Sequence, residues 1–197
     1  MAEKPKTMHV VCLHIKTTAD EDRLIDRSFR ALSHIHNVLV KHVRKLLVQL
    51  EHDKEYQFLR NDYIAFLSSH KDEEKLSKDD AAYKKSLSDQ MSGIRRGIGL
   101  TEYSLQSYIK VCGKQFNKLL SSQQIQKEAT RVWHSVEKYL FGNGKSIHFK
   151  KYRDFDTIGG KSNKNGMRFD KDSFTAIWMG HGYRIDCPKR SSQDYVY

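Results

Sequence analysis

The sequence predicts an α+β fold: a small antiparallel, wedge-like β-barrel formed by one N-terminal strand and several C-terminal strands, with a helical bundle inserted between them. Three observations carry this. A single β-branched run, HVVCLHI, spans His9–Ile15. Apolar residues then recur at helical spacing as far as Leu140. Beyond that point the chain breaks into short apolar runs separated by Gly, Asn, Asp and Lys. The organisation that follows is residues 1–19 as the first strand, 20–141 as the helical insertion, 142–190 as the returning strands and 191–197 as a tail.

Each element has its own signal. Asp20, Glu21 and Asp22 place acid where a helix dipole favours it, at the start of a long helix reaching about Leu50. Its stripe is Phe29, Leu32, Leu39, Val43, Leu46 and Leu50, with His36 at one seam position and Ile35 and Leu47 widening it. Arg27, Arg30, Lys41, Arg44 and Lys45 lie opposite or beside that stripe, either as a solvated face or as phosphate contacts. A second helix runs from Lys54 to Ser69 on Tyr56, Leu59, Tyr63 and Phe66 or Leu67. The mixed-charge stretch His70–Asp80 reads as an exposed linker or helix edge and is the best internal loop candidate.

Ala81–Ile94 resumes helical character and stops at GIRRGIGL, where Arg95 and Arg96 stand together among Gly93, Gly97 and Gly99. The stretch is either a plain helix-to-helix turn or a glycine-rich turn whose amides approach an anion. Thr101–Leu120 forms a further amphipathic helix on which Lys110, Lys114 and Lys118 repeat every four residues as a cationic ridge. Ser121 or Ser122 caps the next helix, to Leu140, with Ile125, Ala129, Val132, Trp133, Val136 and Leu140 facing a core; these two helices should form a hairpin. Strand-like runs follow: IHF from Ile147, FDTIGG from Phe155, GMRFD from Gly166, SFTAIWMG from Ser173 and YRIDCP from Tyr183.

Composition narrows the function. With 197 residues, 35 Lys and Arg against 24 Asp and Glu, and a formal net charge of +11, the natural partner is a polyanion, nucleic acid first. No uninterrupted apolar run approaches the roughly 18 residues of a membrane-spanning helix, and the N-terminus carries no secretory signal. A cytoplasmic, nucleoid-associated protein with no membrane partner is expected. Cys12, Cys112 and Cys187 form no CxxC pair and read as buried small apolar residues, and His34, His36 and His42 lack the companions of a metal site. The GNGKS stretch at Gly142–Ser146 imitates a phosphate-binding loop, but Tyr139 stands where the first glycine belongs and a helix rather than a strand precedes it. No nucleophile elbow or paired carboxylates mark a catalytic centre.

What remains is binding chemistry. Lys145, Lys150, Lys151, Arg153, Lys161, Lys164 and Arg168 interleave with His148, Phe149, Tyr152, Phe155 and Phe169. Cations neutralise phosphates and exposed aromatics stack on bases. The order of an N-terminal strand, a helical region, QKEATRVWHSVEKYLFGNGKSIHFKKY, the turn GGKSNKNGMRF and then SFTAIWMG resembles the N-terminal half of TnpB-type transposon proteins, RNA-guided DNA endonucleases related to type V CRISPR effectors. The match is strongest over Ile125–Trp178. The resemblance implies that the strands form a wedge barrel, that the helices form a recognition lobe, and that the partners are guide RNA and target DNA. It implies that Lys150, Lys151 and Arg153 contact the nucleic-acid backbone and that Arg95, Arg96 and the lysine ridge line a duplex channel.

Relatives continue into a RuvC-type nuclease domain whose carboxylates hold two divalent metal ions; this sequence ends at Tyr197, before such a segment. The expectation is therefore a binding fragment that does not cut DNA alone and needs no cofactor of its own. A truncated copy, a frame-shifted gene, or one half of a split protein with a separately encoded nuclease half would each produce it. Two other classes compete: a basic helical DNA-binding regulator whose strands dimerise, and an interaction protein whose charge only keeps it soluble.

Overall fold

The longest element, α1 (Ala19–His52), is the axis on which the other helices assemble. It starts where Thr18 caps it and Glu21 returns the bond to the Thr18 amide, a reciprocal box that satisfies orphan helix-start donors. Its buried stripe includes Leu32, Ile35, Leu39, Val43, Leu47 and Leu50, and His36 is buried with them. Asp53 ends α1 and caps α2 (Lys54–Ser69), accepting from the Tyr56 amide at 2.8 Å. The structure, a computed structural model, describes residue 12 and residues 14–71, 75–160 and 167–186.

α3 (Lys78–Gly97) starts earlier than the sequence predicts, because Ser77 caps it through the Asp80 amide. It also runs through Arg95 and Arg96 to Gly97, so the amides of the expected glycine-rich turn belong to a helix. Its last turn carries both arginines, where positive charge offsets the dipole. α4 (Glu102–Gly113) and α5 (Ser122–Leu140) form the expected hairpin, with Ser121 and Gln124 making a second reciprocal cap. However, α4 stops at Gly113 and gives way to a 3-10 turn at Lys114–Phe116. At Gly113 a Cβ would lie 2.8 Å from Ile125 Cδ1, so close contact between the two helices requires the glycine.

The sheet is a correction to the predicted barrel. Strands β1 (His14–Lys16), β2 (Met167–Asp170), β3 (Thr175–Trp178) and β4 (His181–Asp186) form an open antiparallel sheet in the order β1-β4-β3-β2. β1 does join the C-terminal strands across the helical insertion, pairing Ile15 with Ile185. The described part of the N-terminal run is shorter than expected: His9–Val11 and Leu13 lie outside the described residues. The other missing strands are those expected from IHF and FDTIGG; both are extended coil, separated by a 3-10 turn at Tyr152–Asp154. β3 and β4 meet at Met179 and Gly180, both at positive φ (52° and 82°), the two-residue turn whose twist suits a hairpin. Trp178 and Tyr183, on one face of the sheet, are buried beside Leu24, Ser28 and Leu119. Cys12 is exposed and Cys112 half-buried, rather than both being core, and Cys187 lies outside the described residues.

α1 and α4 meet through stacked rings: His42 lies on Tyr108 with centroids 3.8 Å apart and planes 6° from parallel. Burial, and secondarily Lys45, holds the His42 pKa below its ordinary 6.5. The fold therefore favours the neutral ring, and the unfolded chain binds more protons between the folded value and 6.5. Stability from this site is full above pH 6.5 and declines as the pH falls through that window. In His42→Asn this part of the acid-side decline should vanish from denaturant melts recorded between pH 7.5 and the acid limit, while an unchanged slope would refute the assignment. Gly113→Ala should destabilise the chain by about 1–3 kcal/mol through overpacking. Adding Ile125→Val, which removes the offending Cδ1, should recover part of that loss in urea titrations.

Candidate nucleic-acid interface

The segment that the sequence predicts as a strand at Ile147 lies along α1 and is paired by side chains instead. Arg44 donates to the Ile147 carbonyl through Nε (3.0 Å) and Nη2 (2.6 Å). Asn37 meets Lys150 twice, Nδ2 donating to the carbonyl and Oδ1 accepting the amide, each at 2.9 Å. Ser33 Oγ adds a bond to the same carbonyl at 3.2 Å. Positions 33, 37 and 44 share one helix face, so the segment runs antiparallel to α1 with Ile147 near Arg44 and Tyr152 near Arg30. An amide that pairs in both directions imitates a strand neighbour, which is why a strand-like pattern exists here without a sheet.

The same band alternates cations with rings. Arg44 lies over Phe149 with Cζ 4.6 Å from the ring centroid, and Arg30 over Tyr152 at 4.1 Å. Lys150 Nζ sits 5.4 Å from the Phe155 centroid, and Arg153 Cζ 6.0 Å from that of Tyr152. Asp26 fixes Arg30 from the preceding turn at 2.7 Å. Phe149 remains 50% exposed despite its arginine. From Arg30 to Arg44 the band is roughly 21 Å long at the helical rise.

Behind it lies a buried charged cluster. Glu128 of α5 is 2% exposed and His36 of α1 is 6% exposed, with His36 Nδ1 2.8 Å from Glu128 Oε1. His36 Nε2 faces the His148 carbonyl at 3.3 Å. Both ring nitrogens therefore have a polar partner. Arg131 Nη1 reaches Glu128 Oε2 at 3.2 Å and the Thr157 carbonyl at 3.1 Å, and Nη2 donates to Thr157 Oγ1. The cluster thus ties α1, α5 and the coil at 148–157 into one unit. A cavity of about 190 Å³ opens beside it.

The cationic residues singled out by sequence do not form one surface. Lys145, Lys150, Lys151 and Arg153 are exposed and belong to the band or its flanks. Arg95 and Arg96 occupy the end of α3, where Arg95 Nη2 donates to Ser92 Oγ at 2.7 Å. The single lysine ridge is a correction: Lys110 is on α4, Lys114 on the 3-10 turn and Lys118 in the turn beyond, because the α-helix ends at Gly113. Lys110 and Lys114 border a cleft with Ile125, whereas Lys118 borders the sheet beside Trp178. Lys161 and Lys164 lie outside the described residues.

Sequence reasoning missed Ser33, Asn37, Glu128 and Arg131. One signal existed: Glu128 falls on the core stripe between Ile125 and Val132, as His36 falls on that of α1. Two polar residues on facing apolar stripes call for each other. Among the described residues, no group of three or more His, Cys, Asp and Glu is placed to hold a metal ion, and no helix is long and apolar enough to cross a membrane. Compared with known proteins, the chain matches no family model, no curated protein and no solved structure.

Removing Glu128 would leave Arg131 without its counter-ion and His36 Nδ1 without its buried partner. Glu128→Ala should cost about 3–5 kcal/mol in urea melts. It should also raise amide exchange at Lys150, which depends on the coil staying against α1. A loss below about 1 kcal/mol would show that the cluster does not hold the coil.

Proposed function

We propose that this protein binds RNA along the band formed by α1 and residues 145–155, as the guide-gripping part of a TnpB-type RNA-guided protein. The observation that carries the reading is the pairing of cations with rings where the coil lies on α1: Arg44 over Phe149 at one end, Arg30 and Arg153 at Tyr152 at the other. The band's length, roughly 21 Å at the helical rise, lets it follow several consecutive backbone phosphates. The net charge of +11 supplies long-range attraction. The motif order of Ile125–Trp178, and the return of the C-terminal strands to the first strand across inserted helices, support the family reading. The role is binding rather than cutting: the protein senses backbone and shape, and base pairing by the guide supplies sequence choice.

A structured RNA titrated by fluorescence anisotropy across about 50–200 mM salt should lose affinity steeply. Charge reversal at Lys145, Lys151 and Arg153, with the fold checked by circular dichroism, should weaken binding by about tenfold or more and flatten the salt slope by roughly one unit per lost contact. A salt-independent affinity, or one untouched by the reversal, would reject this reading.

A further inference from the structure

We propose that the cavity beside the buried cluster takes a single unstacked guanine from the bound RNA. This deepens the RNA-binding reading and rests on it for the source of the base. The cavity, about 190 Å³, lies between α1, α5 and the coil at residues 150–157, next to the phosphate-binding band. Lys150 and Phe155 belong both to the coil and to the cavity lining, so the cavity and the band share this segment.

The chamber wall is already organised. Glu128 is engaged by His36 and Arg131, and the Arg131 fork is further engaged by Thr157, so these groups hold one another in place before any ligand arrives. Preorganised polar walls of this kind bind without an ordering penalty. Two charged groups on the wall have different standing. Lys150 and Asp156 both line the cavity and both are exposed, and no ion pair joins them. Among the described residues, Asp156 is bonded only by Thr157 Oγ1, which donates to its Oδ1 at 3.2 Å. Phe155 supplies an aromatic part of the lining, edge-on to His36 with centroids 5.4 Å apart and with Lys150 Nζ 5.4 Å from its own centroid.

A carboxylate and an ammonium that share a cavity without neutralising each other select a ligand presenting adjacent donors and adjacent acceptors. Guanine does so. Its N1–H and N2–H₂ form a donor pair matching the two oxygens of Asp156, and its O6 and N7 form an acceptor pair that lysine binds. Adenine offers no donor pair to a carboxylate. Cytosine offers a single amino group, and uracil presents acceptors on either side of one imino proton. Single-stranded RNA is read in this manner, through Watson–Crick and Hoogsteen edges with one face against an aromatic ring.

Isothermal titration of the whole chain with the 5′-monophosphates of guanosine, inosine, adenosine and cytidine tests the cavity without relying on the band, since all four carry the same phosphate. Guanosine monophosphate should bind about tenfold more tightly than the adenosine and cytidine nucleotides, and inosine, lacking the N2 amino group, should fall between. Asp156→Asn should abolish the preference while leaving the salt slope for RNA unchanged. Equal affinity for the four nucleotides, binding of none, preference for cytidine, or a guanosine preference that survives Asp156→Asn would each overturn the proposal. RNA binding that is salt-dependent but indifferent to base would remove the guanine site and leave the band standing. Guanosine monophosphate binding in a chain that holds no RNA would do the reverse.

Discussion

The backbone of residues 147–150 has no neighbouring strand, and the fold depends on how its polar groups are satisfied. An extended segment laid on a helix cannot borrow bonds from that helix, whose amides and carbonyls are already paired internally. Side chains must supply them. Arg44, Asn37 and Ser33 do so from one face of α1, and His36 reaches the His148 carbonyl from the edge of the same face. Without these residues only the packing of Ile147, Phe155 and Ile158 would hold the chain leaving α5 against α1, with its carbonyls unpaired, and nothing would fix the register in which Tyr152 and Phe149 meet Arg30 and Arg44. The cationic band is thus a consequence of backbone satisfaction before it is anything else.

This constraint explains what the sequence disclosed and what it withheld. Helices were legible because a 34-residue stripe such as that of α1 repeats one period many times over, and caps such as Ser121 with Gln124 announce their own ends. The strand at Thr175–Trp178 was legible because Met179-Gly180 closes its hairpin with the turn that such a pair requires. At Ile147–Phe149 and Phe155–Gly160 the pattern was real but ambiguous. Alternation reports that a segment is extended and half-buried; it does not report whether the neighbour is another strand or a row of polar side chains. The barrel prediction failed there. The lysine ridge failed for a different reason: spacing of four residues marks a face only while the helix continues, and the approach of Ile125 to Gly113 coincides with its end.

The buried ion cluster answers a related problem of assembly. His36 and Glu128 are 92 positions apart in sequence, and each occupies a place on its helix where an apolar residue would pack at lower risk. A hydrophobic pair could stabilise the helices as well or better, since burying charge loses hydration that pairing only partly restores. What an apolar pair lacks is direction. An imidazole with one nitrogen on a carboxylate and the other on a specific carbonyl defines the rotation of α1 against α5 and the register of the coil together. Arg131 then extends the same definition to Thr157.

That fixed register changes what the arginines of the band can offer a polyanion. A free lysine side chain surrenders its rotamer freedom when it meets a phosphate, at up to about 2 kcal/mol for a long side chain. Arg30 is already held by Asp26 and by the face of Tyr152, and Arg44 by the Ile147 carbonyl and by Phe149. Their guanidinium groups have lost that freedom in the fold itself, and each retains donors not directed at its protein partner because the fork carries five. In the proposed binding role the exposed lysines at 145 and 151 would supply attraction at range, where side-chain freedom is harmless. In the same role the two arginines would supply position. A surface that divides its charge in this way combines rapid, salt-sensitive capture with a defined docking register, which neither residue type provides alone.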